Sequence, residues 1–103
     1  MTETAIEFRD VVKRFGDTTV LNHLNFSVKK GEKVSIIGPS GSGKSTVLRI
    51  LMTLEKIESG TVYVGERPLW HEMRQGKLVP AGERHLREMR KEMGMVFQQF
   101  NLF

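Results

Sequence analysis

The sequence of 103 residues contains no cysteine, which excludes disulfide bonds and thiolate metal sites. Residues 1–5 lack the basic region and the apolar core of a signal peptide. No apolar run approaches the ~20 residues that a helix needs to cross a bilayer. The three histidines include no pair at metal-ligand spacing. We therefore expect a cytoplasmic chain that reaches a membrane only through a partner.

Size and charge narrow the classes of function further. The length allows at most one small domain, complete or partial. Sixteen Lys and Arg against twelve Asp and Glu leave a net charge of +4, a balance that can favour phosphates, acidic membranes or nucleic acid. The basic residues are spread along the chain without interleaved aromatics for base stacking. We therefore expect an ordinary solvated surface and no nucleic-acid partner.

The segment GPSGSGKST at residues 38–46 fits the phosphate-loop pattern G-x-x-x-x-G-K-[ST] of P-loop NTPases. A short β-branched run at residues 33–37 precedes it, as expected of a buried parallel strand. After it, apolar residues follow at the helical spacing i, i+3, i+4, i+7, namely Val47, Ile50, Leu51 and Leu54. Because strand, loop and helix occur in the required order, we predict a phosphate-binding loop rather than a plain glycine-rich turn.

The residue types of this loop match the chemistry of a nucleotide site. Its glycines let the main chain approach the ligand closely, so successive N–H groups can converge on phosphate oxygens at the positive end of the next helix. Pro39 fixes the shape of the loop entry. The predicted nucleotide-binding residues are Gly38, Pro39, Ser40, Gly41, Ser42, Gly43, Lys44, Ser45 and Thr46.

Three residues at the end of the loop carry individual roles. Lys44 is long enough to reach the β- and γ-phosphates. The Ser45 hydroxyl is placed to coordinate Mg²⁺. Thr46 can meet the α-phosphate through its N–H or its hydroxyl.

The residues before and after the phosphate loop predict mainly β-strands. Residues 1–32 predict antiparallel β structure, in which a strand from Ile6 ends or kinks at Val11 and a turn falls at residues 14–17. Residues 33–65 hold the P-loop strand, its helix and the next strand.

The second half of the chain begins with a surface insertion. The insertion and a predicted helix at residues 83–92 together cover residues 66–93. One face of that helix is apolar, with Leu86, Met89 and Met93. Its basic face, which we interpret as solvated, carries Arg84, Arg87, Arg90 and Lys91. Residues 94–103 predict a final strand at 95–97 and the segment that follows it.

Four segments of the sequence resemble the ATP-binding subunit of ABC transporters, and the likeness covers essentially the whole chain. They are residues 30–34, 38–46, 58–65 and 94–103. The insertion resembles that of the polar amino-acid uptake subgroup, and residues 70–74 are closest to importers of ectoine-like compatible solutes such as hydroxyectoine. The phosphate loop alone would indicate only the P-loop superfamily.

The resemblance implies an α/β fold, that of a P-loop NTPase of the ABC type with an N-terminal antiparallel β subdomain. It also implies ATP and Mg²⁺ as ligands. Phe15 stands where the family places an aromatic ring that stacks on adenine, and the alternative is a Phe packed in the β core. Gln98 aligns with the Q-loop glutamine that contacts Mg²⁺ or the attacking water, although its neighbour Gln99 is an alternative. Lys44 and Gln98 are thus the expected catalytic residues.

The implied activity is ATP hydrolysis that powers solute uptake. Implied partners are integral-membrane permease subunits, a second ATP-binding subunit and, indirectly, a periplasmic or extracellular solute-binding protein. The subunit would lie at the inner face of the cell membrane through its permease. The sequence contains no Walker B aspartate, Leu-Ser-Gly-Gly-Gln signature or switch histidine. We therefore expect an incomplete domain, without its helical subdomain and Walker B half, that is non-hydrolytic alone.

Two other functions remain open at this point. A non-catalytic module could grip nucleotide or phosphate without cleaving it. A non-transport ABC ATPase would share the same motifs. A P-loop kinase or GTPase is disfavoured by the antiparallel β material before the loop and by the Q-loop-like segment.

Overall fold

Six strands and two helices make up the described part of the protein. The computed structural model describes residues 4–29 and 43–100, with side chains for 4–29 and 45–96. In chain order the elements are β1 (Thr4–Phe15), β2 (Thr18–Lys29), α1 (Gly43–Leu51), β3 (Ser59–Val64), β4 (Arg67–Pro68), β5 (His71–Arg74), β6 (Lys77–Pro80) and α2 (Glu83–Phe100). Across these two ranges, neither helix has the length and apolar character needed to cross a membrane.

The main sheet has four antiparallel strands in the order β2-β1-β3-β4. The predicted antiparallel β region is therefore confirmed. The turn predicted at residues 14–17 joins β1 to β2, and the paired ends Phe15 and Thr18 leave two residues in the loop. Gly16, the first of them, has a φ of 60°, which meets the backbone requirement of a type II′ hairpin turn.

The predicted end or kink at Val11 is a bulge, and β1 continues past it to Phe15. Asp10 has a φ of 54°, and His23 opposite it on β2 has a φ of 52°. The His23 Nδ1–H donates to Asp10 Oδ1 at 2.6 Å, and the Asp10 N–H donates to Asn25 Oδ1 at 2.9 Å. These side chains satisfy polar groups where the ladder is interrupted, so both strands extend beyond the point where alternation is lost.

The core lies where the main sheet meets one face of each helix. Phe8 of β1 and Phe26 of β2 stack with ring centroids 4.7 Å apart. The apolar face of α1 is buried at Val47, Ile50 and Leu51, as the helical spacing predicts. The buried cluster also holds Ile6, Val11, Leu21, Val28, Ile57, Val62, Val64, Leu69, Trp70, Leu86, Met89 and Met93.

Leu54 does not continue the apolar face of α1, contrary to the sequence prediction. The helix ends at Leu51, and Leu54 is 66% exposed. Thr53 adopts a φ of 61° and donates its N–H to the Ile50 carbonyl, while the Leu54 N–H donates to the Arg49 carbonyl at 2.8 Å. This is the hydrogen-bond pattern of a Schellman motif, which turns the chain out of the helix before Leu54.

The predicted surface insertion folds into short strands rather than an irregular loop. Strands β5 and β6 form an antiparallel hairpin, and Gly76 in its turn has a φ of 78°. Trp70 precedes the hairpin and is buried in the core. Glu72 of β5 accepts a hydrogen bond from the Gly82 N–H at 2.7 Å, which ties the hairpin to the start of α2.

The strand predicted at residues 95–97 is wrong, because α2 runs without a break from Glu83 to Phe100. The apolar face predicted for residues 83–92 extends beyond them, since Val96 packs against the same core as Met93. Leu86, Met89, Met93 and Val96 follow the helical spacing i, i+3, i+7, i+10. Gly94 within the helix costs only about 1 kcal/mol relative to alanine, which this continued packing can offset. The predicted division of the chain at residues 32, 65 and 93 stays a prediction.

Candidate functional site

Helix α1 begins at Gly43, inside the predicted phosphate loop. The first four N–H groups of a helix have no partner within it, and they form a positive end that favours anions. The first turn of α1 contains no acidic residue that would oppose this effect. Ser45 is exposed there, whereas Thr46 is buried at 8% exposure. The start of α1 therefore offers N–H groups and one accessible hydroxyl to a phosphate and its metal ion.

The opposite end of α1 is fixed by contacts from two other elements. The buried indole N–H of Trp70 donates to the Ile50 carbonyl at 3.1 Å. Arg90 Nε on α2 donates to Thr53 Oγ1 at 2.6 Å, and its guanidinium also contacts Glu83 at 2.9 Å. Together with the burial of its apolar face, these contacts fix α1 against the rest of the described fold.

Phe15 lies at the end of β1, beside the hairpin turn at Gly16. It is 41% exposed, so the alternative that it packs in the β core does not describe its position. An exposed ring at a rigid hairpin can stack on a flat base, a contact worth about 1–3 kcal/mol in nucleic-acid systems. The structure thus leaves the ring accessible, and its contact with adenine stays a prediction.

Lys13, two residues before Phe15, contacts that ring and was not singled out from the sequence. Its ammonium lies over the Phe15 ring, with Nζ 5.0 Å from the ring centroid. The side chain is only 9% exposed, and Nζ donates to the Lys56 carbonyl at 2.6 Å. Glu58 and Glu55 add carboxylate oxygens at 3.4 and 3.6 Å. The period of two along a strand could have placed Lys13 and Phe15 on one side, but it gives no sign of these distant partners.

The other predicted site residues lie outside the described part of the chain, wholly or in their side chains. Residues 38–42 are not among the described residues. Lys44 is described as the second residue of α1 and Gln98 as a residue of the last turn of α2, in each case without a side chain. Among the described side chains the site therefore contains Phe15, Ser45 and Thr46.

Comparison with known proteins decides the family. A family model described as ABC transporter matches residues 21–103, which is more than half of the chain. The chain belongs to the ABC transporter family. The predicted ABC-type fold class is thereby confirmed, and the phosphate loop at residues 38–46 lies inside the matched region.

Several relatives of this chain are, by name, ATP-binding proteins of amino-acid transport systems. A probable amino-acid ABC transporter ATP-binding protein of Sinorhizobium fredii is 65% identical over 100% of this chain and 40% of its own length. A glutamine transport ATP-binding protein of Escherichia coli is 47% identical over 95% of this chain and 37% of its own length. An L-cystine transport system ATP-binding protein of Escherichia coli is 43% identical over 97% and 38%. The chain thus spans about two fifths of the length of these relatives.

The basic face of α2 is not uniform in this ABC family member. Arg84, Arg87 and Lys91 are exposed, as the solvated interpretation expects. Arg90 is exposed as well, but its Nε also donates to Thr53, just after the end of α1. The sequence pattern alone grouped these four cations, because the partner of Arg90 lies 37 residues away.

Proposed function

We propose that this chain supplies ATP-binding residues to an ABC importer ATPase, which powers uptake of a polar amino acid or a related compatible solute through a membrane permease. The observation that carries the proposal is the phosphate loop, which runs directly into α1 at Gly43. The positive helix end and the absence of an acidic residue in its first turn support phosphate binding. The names of the relatives support the importer class.

Each predicted residue has a role in this proposal. Backbone N–H groups of residues 38–43 and the Lys44 ammonium bind the β- and γ-phosphates. The exposed Ser45 hydroxyl fits a Mg²⁺ ligand, with Gln98 as the second, and the bound ion would neutralise charge on the phosphate oxygens. Burial of Thr46 favours its N–H as the contact to the α-phosphate.

The proposed reaction is in-line attack of water on the γ-phosphate. Lys44 stabilises the negative charge that develops on the transferred group, and Gln98 orients the water. Phe15 holds the adenine at the other end of the nucleotide. The importer would combine two such ATP-binding subunits with permease subunits in the membrane and a solute-binding protein outside it. The ATP-binding subunits would then lie at the cytoplasmic face.

The test uses the full-length protein assembled with its permease in proteoliposomes. Lys44→Ala should lower ATP hydrolysis in the presence of Mg²⁺ by about a hundredfold or more, as expected for loss of a charge that stabilises the transition state. Lys77→Ala is a matched control, because Lys77 is exposed at the turn of the β5–β6 hairpin. It should leave hydrolysis unchanged.

A parallel uptake assay separates the importer from the other two functions. Cells that carry Lys44→Ala should lose uptake of labelled polar amino acids or of ectoine, whereas Lys77→Ala cells should retain it. Hydrolysis that depends on Lys44 without any effect on uptake would indicate a non-transport ABC ATPase. Tight ATP binding by the full-length protein with no turnover would indicate a non-catalytic binding module.

A further inference from the structure

Lys13 is buried, charged and close to the proposed base-binding ring. Lysine is almost never fully buried unless its ammonium is paired. Here the side chain is 9% exposed, and three oxygens surround Nζ: the Lys56 carbonyl, Glu58 Oε1 and Glu55 Oε2. These oxygens come from the connection between α1 and β3. Two of them accept hydrogen bonds from Nζ, and the Glu55 carboxylate adds an ion pair at 3.6 Å, so the charge of Lys13 is compensated within the protein.

The remaining contact of Lys13 is with the Phe15 ring. Both residues lie on one side of β1 because they are two positions apart. The ammonium covers one ring face at 5.0 Å from the centroid, a distance at which a cation is attracted to the π electrons. Phe15 is nevertheless 41% exposed. The ring is thus held from one side and remains accessible to a ligand.

We propose that Lys13 is a positioning residue for base recognition: it fixes the Phe15 ring and makes its exposed face a better stacking partner for adenine. This rests on the proposed function, in which Phe15 stacks on the base. The cation draws π electrons toward itself, which lowers repulsion between the opposite face and the electron-rich purine. The ion pairs with Glu55 and Glu58 keep the cation in place without offering it to the nucleotide.

The experiment compares two probes on the full-length protein by calorimetric titration, ATP and inorganic triphosphate. Phe15→Leu should weaken ATP binding by about tenfold to a hundredfold, as expected for a lost stacking contact, and leave triphosphate binding unchanged. Lys13→Met should weaken ATP binding by about threefold to tenfold and also spare triphosphate. Lys13→Arg keeps the charge and should restore most of the preference for ATP.

Combining the variants separates positioning from a general structural role. In the Phe15→Leu background, Lys13→Met should have no further effect on ATP affinity, because Lys13 acts through the ring. Lys13→Gln provides a second test if Lys13→Met does not fold, since its amide can still donate to the Lys56 carbonyl without a charge. Lys13→Gln should lose the preference for ATP over triphosphate to the same extent as Lys13→Met.

Three results would overturn the proposal. They are an unchanged ATP affinity in Lys13→Met and Lys13→Gln, an equal loss for both probes, or a further loss when Lys13→Met is added to Phe15→Leu. An unchanged ATP affinity in Phe15→Leu itself would instead refute adenine stacking, and with it that part of the proposed function.

Discussion

Replacing Gly60 by alanine tests how β3 is fitted against the bulge of β1. Gly60 has a φ of 89°, and a Cβ built on it would lie 2.7 Å from the Arg9 carbonyl oxygen and closer still to that of Asp10. Both are backbone atoms of the bulged segment, so neither can rotate away as a side chain would. A Cβ at Gly60 therefore requires the two strands to separate.

The cost has two parts that a matched variant can separate. A left-handed backbone costs an L-residue roughly 1–2 kcal/mol. Forcing extra volume into a packed site costs roughly 1–3 kcal/mol more. Gly65 has a φ of 63° with nothing within 4 Å of its Cβ position, so Gly65→Ala carries only the first part. We expect Gly60→Ala to lose about 2–5 kcal/mol of unfolding free energy and Gly65→Ala about 1–2 kcal/mol.

The assay is urea denaturation of the full-length protein followed by circular dichroism, with thermal melting as a second measure. In a domain of 150–250 residues each kcal/mol corresponds to a melting shift of about 2–4 °C. Gly60→Ala should therefore melt clearly below Gly65→Ala. If the two variants are equally stable, the close approach of β3 to the bulge is not as described, and the steric argument fails.

Three further predictions concern single contacts. Thr53→Val should lower the unfolding free energy by about 1–2 kcal/mol, because Arg90 loses its acceptor. Thr53→Ser keeps the hydroxyl and should retain most of the wild-type stability. A loss in Thr53→Ser as large as in Thr53→Val would contradict a stabilising contact between Arg90 and Thr53. Burial lowers the pKa of His71 from 6.5. The unfolded state then binds the His71 proton more readily than the folded state, so the free energy of unfolding should fall as the pH drops below about 6.5. Urea midpoints measured from neutral to mildly acidic pH should show this fall in the wild type and a smaller one in His71→Phe. The Gly82 N–H bond lowers the pKa of Glu72 from 4.5. Its stabilising contribution is present at neutral pH and lost as the pH falls below about 4.5, so the gap in stability between wild type and Glu72→Gln should close there.

Local pattern in the sequence was sufficient to predict a candidate site and much of the fold. The predicted phosphate loop is contiguous, and the roles that we propose for its glycines, lysine and hydroxyl residues follow from backbone freedom, charge and reach. The antiparallel β region, the turn at residues 14–17 and the helix at residues 83–92 also follow from neighbouring residues. The exposure of Phe15 beside Gly16 agrees with its place in a turn.

The elements that the sequence did not predict depend on contacts between distant residues. Loss of alternation near Val11 predicted an end or a kink, and left these two outcomes open. Asn25, 15 residues from Asp10, accepts the Asp10 N–H at the bulge, and the strand continues. The apolar segment at residues 95–97 suggested a strand, whereas Val96 lies in a helix because its side chain packs on the core. Tertiary packing outweighs local propensity in such segments.

The sequence by itself indicated the phosphate-loop pattern, the family and the residues that we propose to bind ATP, because each of these is recognised from short segments of neighbouring residues. Only the tertiary structure decided what surrounds Phe15. Lys13 is held by oxygens of Lys56 and Glu58, 43 and 45 residues away along the chain. No periodic pattern relates residues at that separation, since they meet only when β1 packs beside the connection between α1 and β3.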